Sequence, residues 1–400
     1  MKPVPDSAHA VSDATALRDR VLPTYARADV TIVRGEGCRV WDDEGRSYLD
    51  FGSGIAVTTL GHVHPAATAA AHEQLDRLWH ASNLYWTEPM LRLAGLLSDR
   101  LGGAQAFFCN SGAEANEAAI KYARKATGRS RIVALDGGFH GRTIGALSAT
   151  GQPAKREGFG PLLQDVSFAP PNDVEALERA VSPGGDVALV LIECVLGEGG
   201  VIPLEAGFAR AAAEIAREVG AVLCIDEVQT GVGRTGTFFA FEQFGLEPDL
   251  VTLAKGLGNG LPIGALLARE GAPAGFSAGD HGSTFGGNPV VCSAACAVVE
   301  AVDEALLAGV RDRGEQLAAG LQRLPGVAEV RGRGLLLGAR VDRDASRVVD
   351  ACREQGLLVL SAGPDVLRLA PPLVVSNDEV EEALGTIAGA LATQQRIFCC

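Results

Sequence analysis

FARAAAEIAREVGAVLCIDEV, residues 208–228, contains the unit from which the rest of the chain can be read. Residues 208–219 space their apolar side chains as a helix does, and residues 221–225 form a short unbroken apolar run that ends at Asp226 and Glu227. A helix followed by a fully buried strand is half of a βαβ repeat. The same alternation extends in both directions. Apolar runs of strand length occur at 104–109, 131–135, 187–192 and 250–253, and helical stretches at 65–78, 88–101, 113–126 and 174–181 separate or precede them. Alternating units of this kind predict a mostly parallel sheet covered on both faces. Ligands bind such sheets at the carboxyl ends of the strands.

The pattern differs at the two ends of the chain. Residues 1–30 are polar and mixed, and read as a loose arm with one short helix. Residues 31–51 read as short strands around the hairpin-turn signal Asp42-Asp43-Glu44-Gly45. Beyond Pro289, helical stretches at 290–307 and 311–324 lead to strand-like pieces at 327–330, 335–341, 357–359 and 366–370, then a final helix at 377–394. The expected division is therefore an arm with small-domain strands (1–50), a large α/β domain (51–289) and a smaller α+β domain (290–400). The sequence carries no internal repeat and no low-complexity linker.

Composition narrows the function classes. The 400 residues are 47% hydrophobic and 21% charged, enough for a large core and unlike a disordered chain. A net charge of −14 disfavours nucleic acid and anionic membranes as partners, though a local pocket can still attract an anion. Nine cysteines, an odd count with no CxxC pair, fit a reducing, cytoplasmic compartment. Cys399 and Cys400 read as an exposed tail. The first ten residues lack the pattern of a signal peptide, and no apolar run reaches membrane-spanning length.

Four strand ends carry residues with chemistry. Asp226 and Glu227 close one strand; a buried carboxylate needs a cation or donors, so one of them can pair with a protonated ring nitrogen, or simply cap a turn. Lys255 follows the apolar run 250–253 and precedes a glycine-rich loop. Loss of hydration there lowers its pKa and frees the amine that imine formation requires; a lysine whose head reaches the surface is the alternative. Ser111-x-x-Glu114 fits a capping box and leaves the amides of Gly112 and Ala113 as first-turn donors for a phosphate, or forms a plain helix cap. In LDGGFHGRT (135–143), Phe139 can stack on a flat ring and Arg142 can bind a carboxylate through its planar fork. The alternatives are a core phenylalanine and a surface ion pair. His140 has no second ligand at useful spacing, so no metal site is expected. A phosphate seat, a stacking aromatic, a ring-nitrogen carboxylate and an imine lysine on one sheet together match one cofactor, pyridoxal 5'-phosphate.

With these residues in place, the chain resembles the class III aminotransferases, in their ornithine and acetylornithine branch. The likeness runs from about residue 35 to 376. It is carried by YLDFGSGIAVTTLGHVHP, LWHASNLYWTEP, FFCNSGAEANEAAIKYAR, FHGRT, GEGGV, IDEVQTGVGRTG, LAKGLGNGLPIGA, HGSTFGGNP and LRLAPPL, in the family's order. The resemblance implies fold type I, with a mostly parallel seven-stranded-type sheet and a smaller α+β domain. It implies that Lys255 carries the cofactor as a Schiff base, that Asp226 keeps the ring nitrogen protonated and that Gln229 faces the ring hydroxyl. Phe139 and Val228 would sandwich the ring, with Glu227 in the same cofactor-binding run. Gly112 and Ala113 would hold the phosphate, with Ser111 nearby. Thr284 would reach the phosphate of the neighbouring subunit, making a homodimer with shared active sites, and Ser283 would lie close to substrate there.

For substrates, the resemblance implies transfer of an amino group from N2-acetyl-L-ornithine to 2-oxoglutarate, giving N-acetylglutamate 5-semialdehyde and L-glutamate, as in arginine biosynthesis. Arg142 would hold the donor's α-carboxylate. Arg368 would bind the α-carboxylate of glutamate or 2-oxoglutarate, and Glu198 would pair with it while the other substrate is bound; an ordinary surface ion pair is the alternative. Cys194 stands where the family usually has proline, Leu196 where glutamine is common and Ser361 where asparagine is common. These departures flank the expected pocket and bear on the donor. Ornithine, succinylornithine, acyl-lysine and 4-aminobutyrate are the rival donors. An aminomutase or decarboxylase on the same fold has no evident need for Arg368 and Glu198, and a non-catalytic binding protein has none for Lys255 and Asp226.

Overall fold

The computed structural model describes residues 17–182 and 185–396. Its larger unit is built on a seven-stranded sheet. The strands are β1 (Ala104–Cys109), β2 (Arg131–Leu135), β3 (Val166–Ala169), β4 (Val187–Ile192), β5 (Val222–Asp226), β6 (Leu250–Leu253) and β7 (Gly264–Arg269). Their order across the sheet is β1-β7-β6-β5-β4-β2-β3. β7 runs antiparallel to both its neighbours, and all other pairings are parallel. β4, VALVLI, is buried at every position, as a central strand covered on both faces must be.

β7 departs from the expected pattern. Gly264–Arg269 follows a loop rich in glycine and proline, which hides the start of the strand in the sequence. Its reversed direction has a consequence for the site. The start of β7, not its end, lies at the carboxyl edge of the sheet, where Gly264 pairs with Cys109 and Ala265 with Leu253. A Cβ on Gly264 would sit 2.3 Å from the Ser111 carbonyl oxygen, so β7 can begin there only with glycine.

The smaller unit draws on both chain ends. Its antiparallel sheet orders Val327–Arg333, Leu336–Val341, Val366–Leu369 and Leu360–Ser361. A second sheet joins Ile32–Glu36, Arg39–Asp42 and Ser47–Asp50 to Leu357–Leu358, so the N-terminal strands pack with the C-terminal third. Cys38, Leu49 and Phe51 accordingly share one apolar core with Leu317, Leu337, Val348 and Ile387. The hairpin turn forms as expected, with Asp42 Oδ1 accepting from the Glu44 and Arg46 amides. Of the expected arm, residues 1–16 lie outside the described residues, as does the Cys399–Cys400 pair; Arg18–Arg20 forms one short 3-10 turn.

The expected boundary at residue 289 falls one helix too early. The helix Pro289–Ala301, PVVCSAACAVVEA, buries Cys292, Ala295, Cys296, Val298 and Val299 in the core of the larger unit with Leu93 and Leu97. The helix also ends sooner than its apolar pattern suggests. Asp303 caps the next helix, Glu304–Gln322, by accepting from the Leu306 amide, which places the break at 302–303.

Candidate active site

The carboxyl ends of β1, β2, β4, β5 and β6 open on one cavity of about 370 Å³. Ser111, Gly112 and Ala113, Phe139 and Arg142, Glu198, Asp226, Val228 and Gln229, and Lys255 all line it. The amine and the acid expected to flank one ring therefore face the same space.

Lys255 is the second residue after β6 and has φ +42°, a left-handed conformation that costs a side-chain-bearing residue roughly 1–3 kcal/mol. This backbone ends the strand and begins the turn Lys255–Gly258 at the cavity wall. Burial lowers the lysine's pKa, and the charge of Arg368 lowers it further, against Asp226, Glu198 and Glu193. Among the described residues, no acceptor is bonded to its Nζ.

Asp226 ends β5 and is held on three sides. Its Oδ2 accepts from Asn116 Nδ2 (2.8 Å) and His140 Nδ1 (2.7 Å), and its Oδ1 accepts from the Val228 amide (3.0 Å). Asn116 is fixed in turn by donating to the His140 carbonyl and accepting from Thr252 Oγ1. His140 is fully enclosed. Burial opposes its protonation, but the hydrogen bond and charge of Asp226 outweigh burial and raise its pKa. No cluster among the described residues could hold a metal ion.

Glu227 does not share the cavity. Successive side chains on a strand face opposite ways, and Glu227 turns inward to accept from Thr230 Oγ1 (2.6 Å) and the Phe241 amide (2.9 Å). Its expected place in the cofactor-binding run is corrected to a structural one. Burial pushes its pKa up to about 7.

Ser111 caps the helix Gly112–Thr127 by accepting from the Glu114 amide (3.2 Å). Glu114 reaches back one residue further than a standard capping box, to the Asn110 amide (2.7 Å). The amides of Gly112 and Ala113 have no acceptor within the helix. A Cβ on Gly112 would sit 2.7 Å from Val228 Cγ1, so glycine lets this helix start pack against the cavity wall.

Arg368 lies on Val366–Leu369 of the smaller unit and reaches into the larger one. Its Nη1 donates to Glu198 Oε1 (2.6 Å), to the Gly197 carbonyl (3.2 Å) and to Gln229 Oε1 (3.4 Å). The Arg368 side chain is 4% exposed, so this is not a surface ion pair. Burial works against the Glu198 anion, but Arg368 and then Lys155 and Lys255 overcome it and hold its pKa below the usual carboxylate value.

Ser283 and Thr284 stand apart from the cavity. Ser283 Oγ accepts from Asn110 Nδ2 (3.2 Å) beside the helix start, and Thr284 is exposed. Two further residues at the site carried no signal that singled them out. Glu193, just past β4, lines the cavity, accepts from the Phe139 amide (2.8 Å) and is pushed up to about 7 by burial. Lys155, on the short helix Pro153–Arg156, places Nζ 3.5 Å from Glu198 Oε2 and 5.1 Å from the Phe139 ring centroid.

The chain matches the family model Aminotransferase class-III over residues 23–391. It is 45% identical over 383 residues to the acetylornithine aminotransferase of Bacillus cereus, covering 94% of this chain and 99% of that protein. Among solved structures, it is similar to the N-acetylornithine aminotransferase of Stenotrophomonas maltophilia K279a (39% identity, TM-score 0.81, 93% of this chain and 98% of that one). It is also similar to the ornithine aminotransferase of Toxoplasma gondii, described with partial occupancy of PLP at its active site (33% identity, TM-score 0.90, 96% and 94% covered).

Proposed function

This chain belongs to the class-III aminotransferases, and on that premise we propose that it transfers the terminal amino group of N2-acetyl-L-ornithine to 2-oxoglutarate, using pyridoxal 5'-phosphate held in the strand-end cavity. The residues fit that group: a lysine amine with no bonded acceptor, a carboxylate fixed by three donors, an aromatic face and two first-turn amides all face one space. When bound, the pyridine ring supplies an electron sink for the pair left by breaking a substrate C–H bond.

The chain's own residues do the rest. Asp226 presents its carboxylate to the ring nitrogen, and His140 and Asn116 keep that carboxylate from turning. Phe139 and Val228, both on the cavity wall, would hold the ring between them, and Gln229 would serve its hydroxyl. Gly112 and Ala113 would donate to the phosphate at the positive end of a long helix. Lys255, whose pKa is lowered first by burial, would be the group that takes the proton released from the substrate's amine-bearing carbon.

The observation that carries the substrate reading is Arg368 covered by Glu198. A transaminase that accepts a terminal amine in one half-reaction and an α-amine in the other meets a carboxylate near the reacting carbon only in the second. An arginine neutralised by a movable glutamate serves both. Arg142, exposed at the cavity and 5.7 Å from the Phe139 ring centroid, would hold the donor's carboxylate. A single-turnover panel tests the donor. Acetylornithine should discharge the cofactor's absorbance band faster than ornithine or 4-aminobutyrate, by about 10-fold or more. A preference for 4-aminobutyrate or ornithine would overturn the specificity.

The protein acts, in this reading, as a homodimer with shared sites. Leu84 (85% exposed), Trp86 (80%), Trp79, Tyr85 and Phe285 are all large apolar side chains left exposed on this chain, the kind of surface that a second copy would cover. Asn83 ties this surface to the Ser283–Thr284 loop by donating to the Ser283 and Gly286 carbonyls. Thr284 of one copy would then reach the phosphate held by the other. Trp86→Glu should give a monomer by light scattering that holds the cofactor roughly 10-fold more weakly, the loss of one bond to a charged group. A monomer with undiminished cofactor affinity would contradict the shared site.

A further inference from the structure

Glu198 is held by two cations, one on each oxygen. Arg368 Nη1 takes Oε1 at 2.6 Å, and Lys155 Nζ stands 3.5 Å from Oε2. The two differ in freedom. Arg368 is 4% exposed and also bonded to Gly197 and Gln229, whereas Lys155 is 26% exposed and rises from a four-residue helix. Glu198 is the partner ion-paired to Lys155, whose ammonium otherwise rests over the Phe139 ring.

The pair must open for Arg368 to take a substrate carboxylate. Glu198 would then be left as an anion at a largely enclosed wall, where an unpaired charge is strongly disfavoured. A second cation on the far oxygen supplies a destination. A rotation of the Glu198 side chain exchanges a short bond to Arg368 for a short bond to Lys155 and leaves the charge balanced throughout.

We propose that Lys155 is a positioning residue for the second substrate: it receives the Glu198 carboxylate when Arg368 is released, and so sets how readily the enzyme accepts a dicarboxylate. This rests on the reading of Arg368 as the carboxylate-binding arginine. Lys155 touches neither the substrate nor the reacting atoms; it acts through Glu198. A monocarboxylate held by Arg142 leaves the Arg368–Glu198 pair closed and makes no demand on the lysine.

The test is titration calorimetry of the holoenzyme with glutarate, an unreactive five-carbon dicarboxylate, and pentanoate, its monocarboxylate counterpart. Lys155→Met should weaken glutarate about 10-fold and pentanoate less than about two-fold, within the usual range of coupling between sites. Lys155→Arg should restore glutarate to within about three-fold, because it keeps a cation over the ring. In a Glu198→Ala background, Lys155→Met should cost less than about two-fold, since no anion remains to be received. Glutarate binding unaffected by Lys155→Met, an equal loss of pentanoate, or a loss that persists without Glu198 would each overturn the proposal; the last would mean that Lys155 binds the ligand itself. Arg368→Met separates the two readings. If glutarate still binds tightly in that variant, the arginine assignment fails and the lysine proposal with it. If Arg368→Met abolishes binding while Lys155→Met does nothing, only the lysine proposal fails.

Discussion

Alanine in place of Lys255 should abolish covalent attachment of the cofactor and slow transamination by about 10⁴-fold or more, because the imine-forming nucleophile and the proton carrier are lost together. The structure makes this a clean experiment. Lys255 adopts φ +42° at a strand end, and its side chain faces the cavity rather than the core. Truncation therefore removes an amine without opening a hole between packed elements. The buried neighbours Leu253 and Leu257 keep their places, and the melting temperature should move by no more than a few degrees, as for a substitution away from the core. The loss would be read by the absorbance of the isolated protein and by single-turnover rates. A variant that kept the covalent adduct would assign the attachment to another lysine.

Asp226→Asn should slow the chemical step by about 10³-fold or more while the cofactor remains bound, since a neutral amide cannot hold the ring nitrogen protonated. The environment makes asparagine a worse substitute than its shape suggests. Oδ2 accepts from both Asn116 and His140, and Oδ1 accepts from the Val228 amide. Whichever way the new amide is placed, its NH₂ group meets at least one donor. Either orientation breaks the array that fixes the group, so the ring loses both a charge and a position. The phosphate seat at Gly112 and Ala113 is untouched, which predicts a fall in single-turnover rate much larger than the fall in cofactor affinity. Equal falls in both would mean that Asp226 serves binding alone.

The two residues on which these predictions rest were legible in the sequence for a physical reason. Both follow strand-length runs that are apolar but for Thr252, and a charged group placed there stands at the end of a buried strand, where a doubly covered sheet binds its ligands. What a run cannot tell is which of two adjacent carboxylates faces the ligand. Asp226 and Glu227 look equivalent until the strand's alternation turns one toward the cavity and the other toward Thr230. Glu193 also follows an apolar strand, but it is followed by the buried Cys194 and Val195, so the sequence does not mark it off from the core. Lys155 had no such signal, because it arrives on a four-residue helix from a loop and meets Glu198 only through tertiary folding.

The fold shows the same division between local and non-local information. β4 and the helix Val174–Val181 match their sequence patterns end to end, since each buries a face that periodicity reveals. β7 was hidden by the glycine-rich loop before it and by its reversed direction, which breaks the helix–strand rhythm. The unit that the helix Pro289–Ala301 joins is not legible in the sequence, because a helix apolar nearly all round does not say which core it enters.

The chemistry proposed for this cavity turns on the Lys255 amine making the covalent bond to an aldehyde cofactor. Borohydride reduction of the holoenzyme, followed by proteolysis and mass measurement of the peptides, tests it directly. A phosphopyridoxyl adduct is expected on the peptide that carries Lys255 and on no other. An adduct on a different lysine, or none on a protein that transaminates, would contradict it.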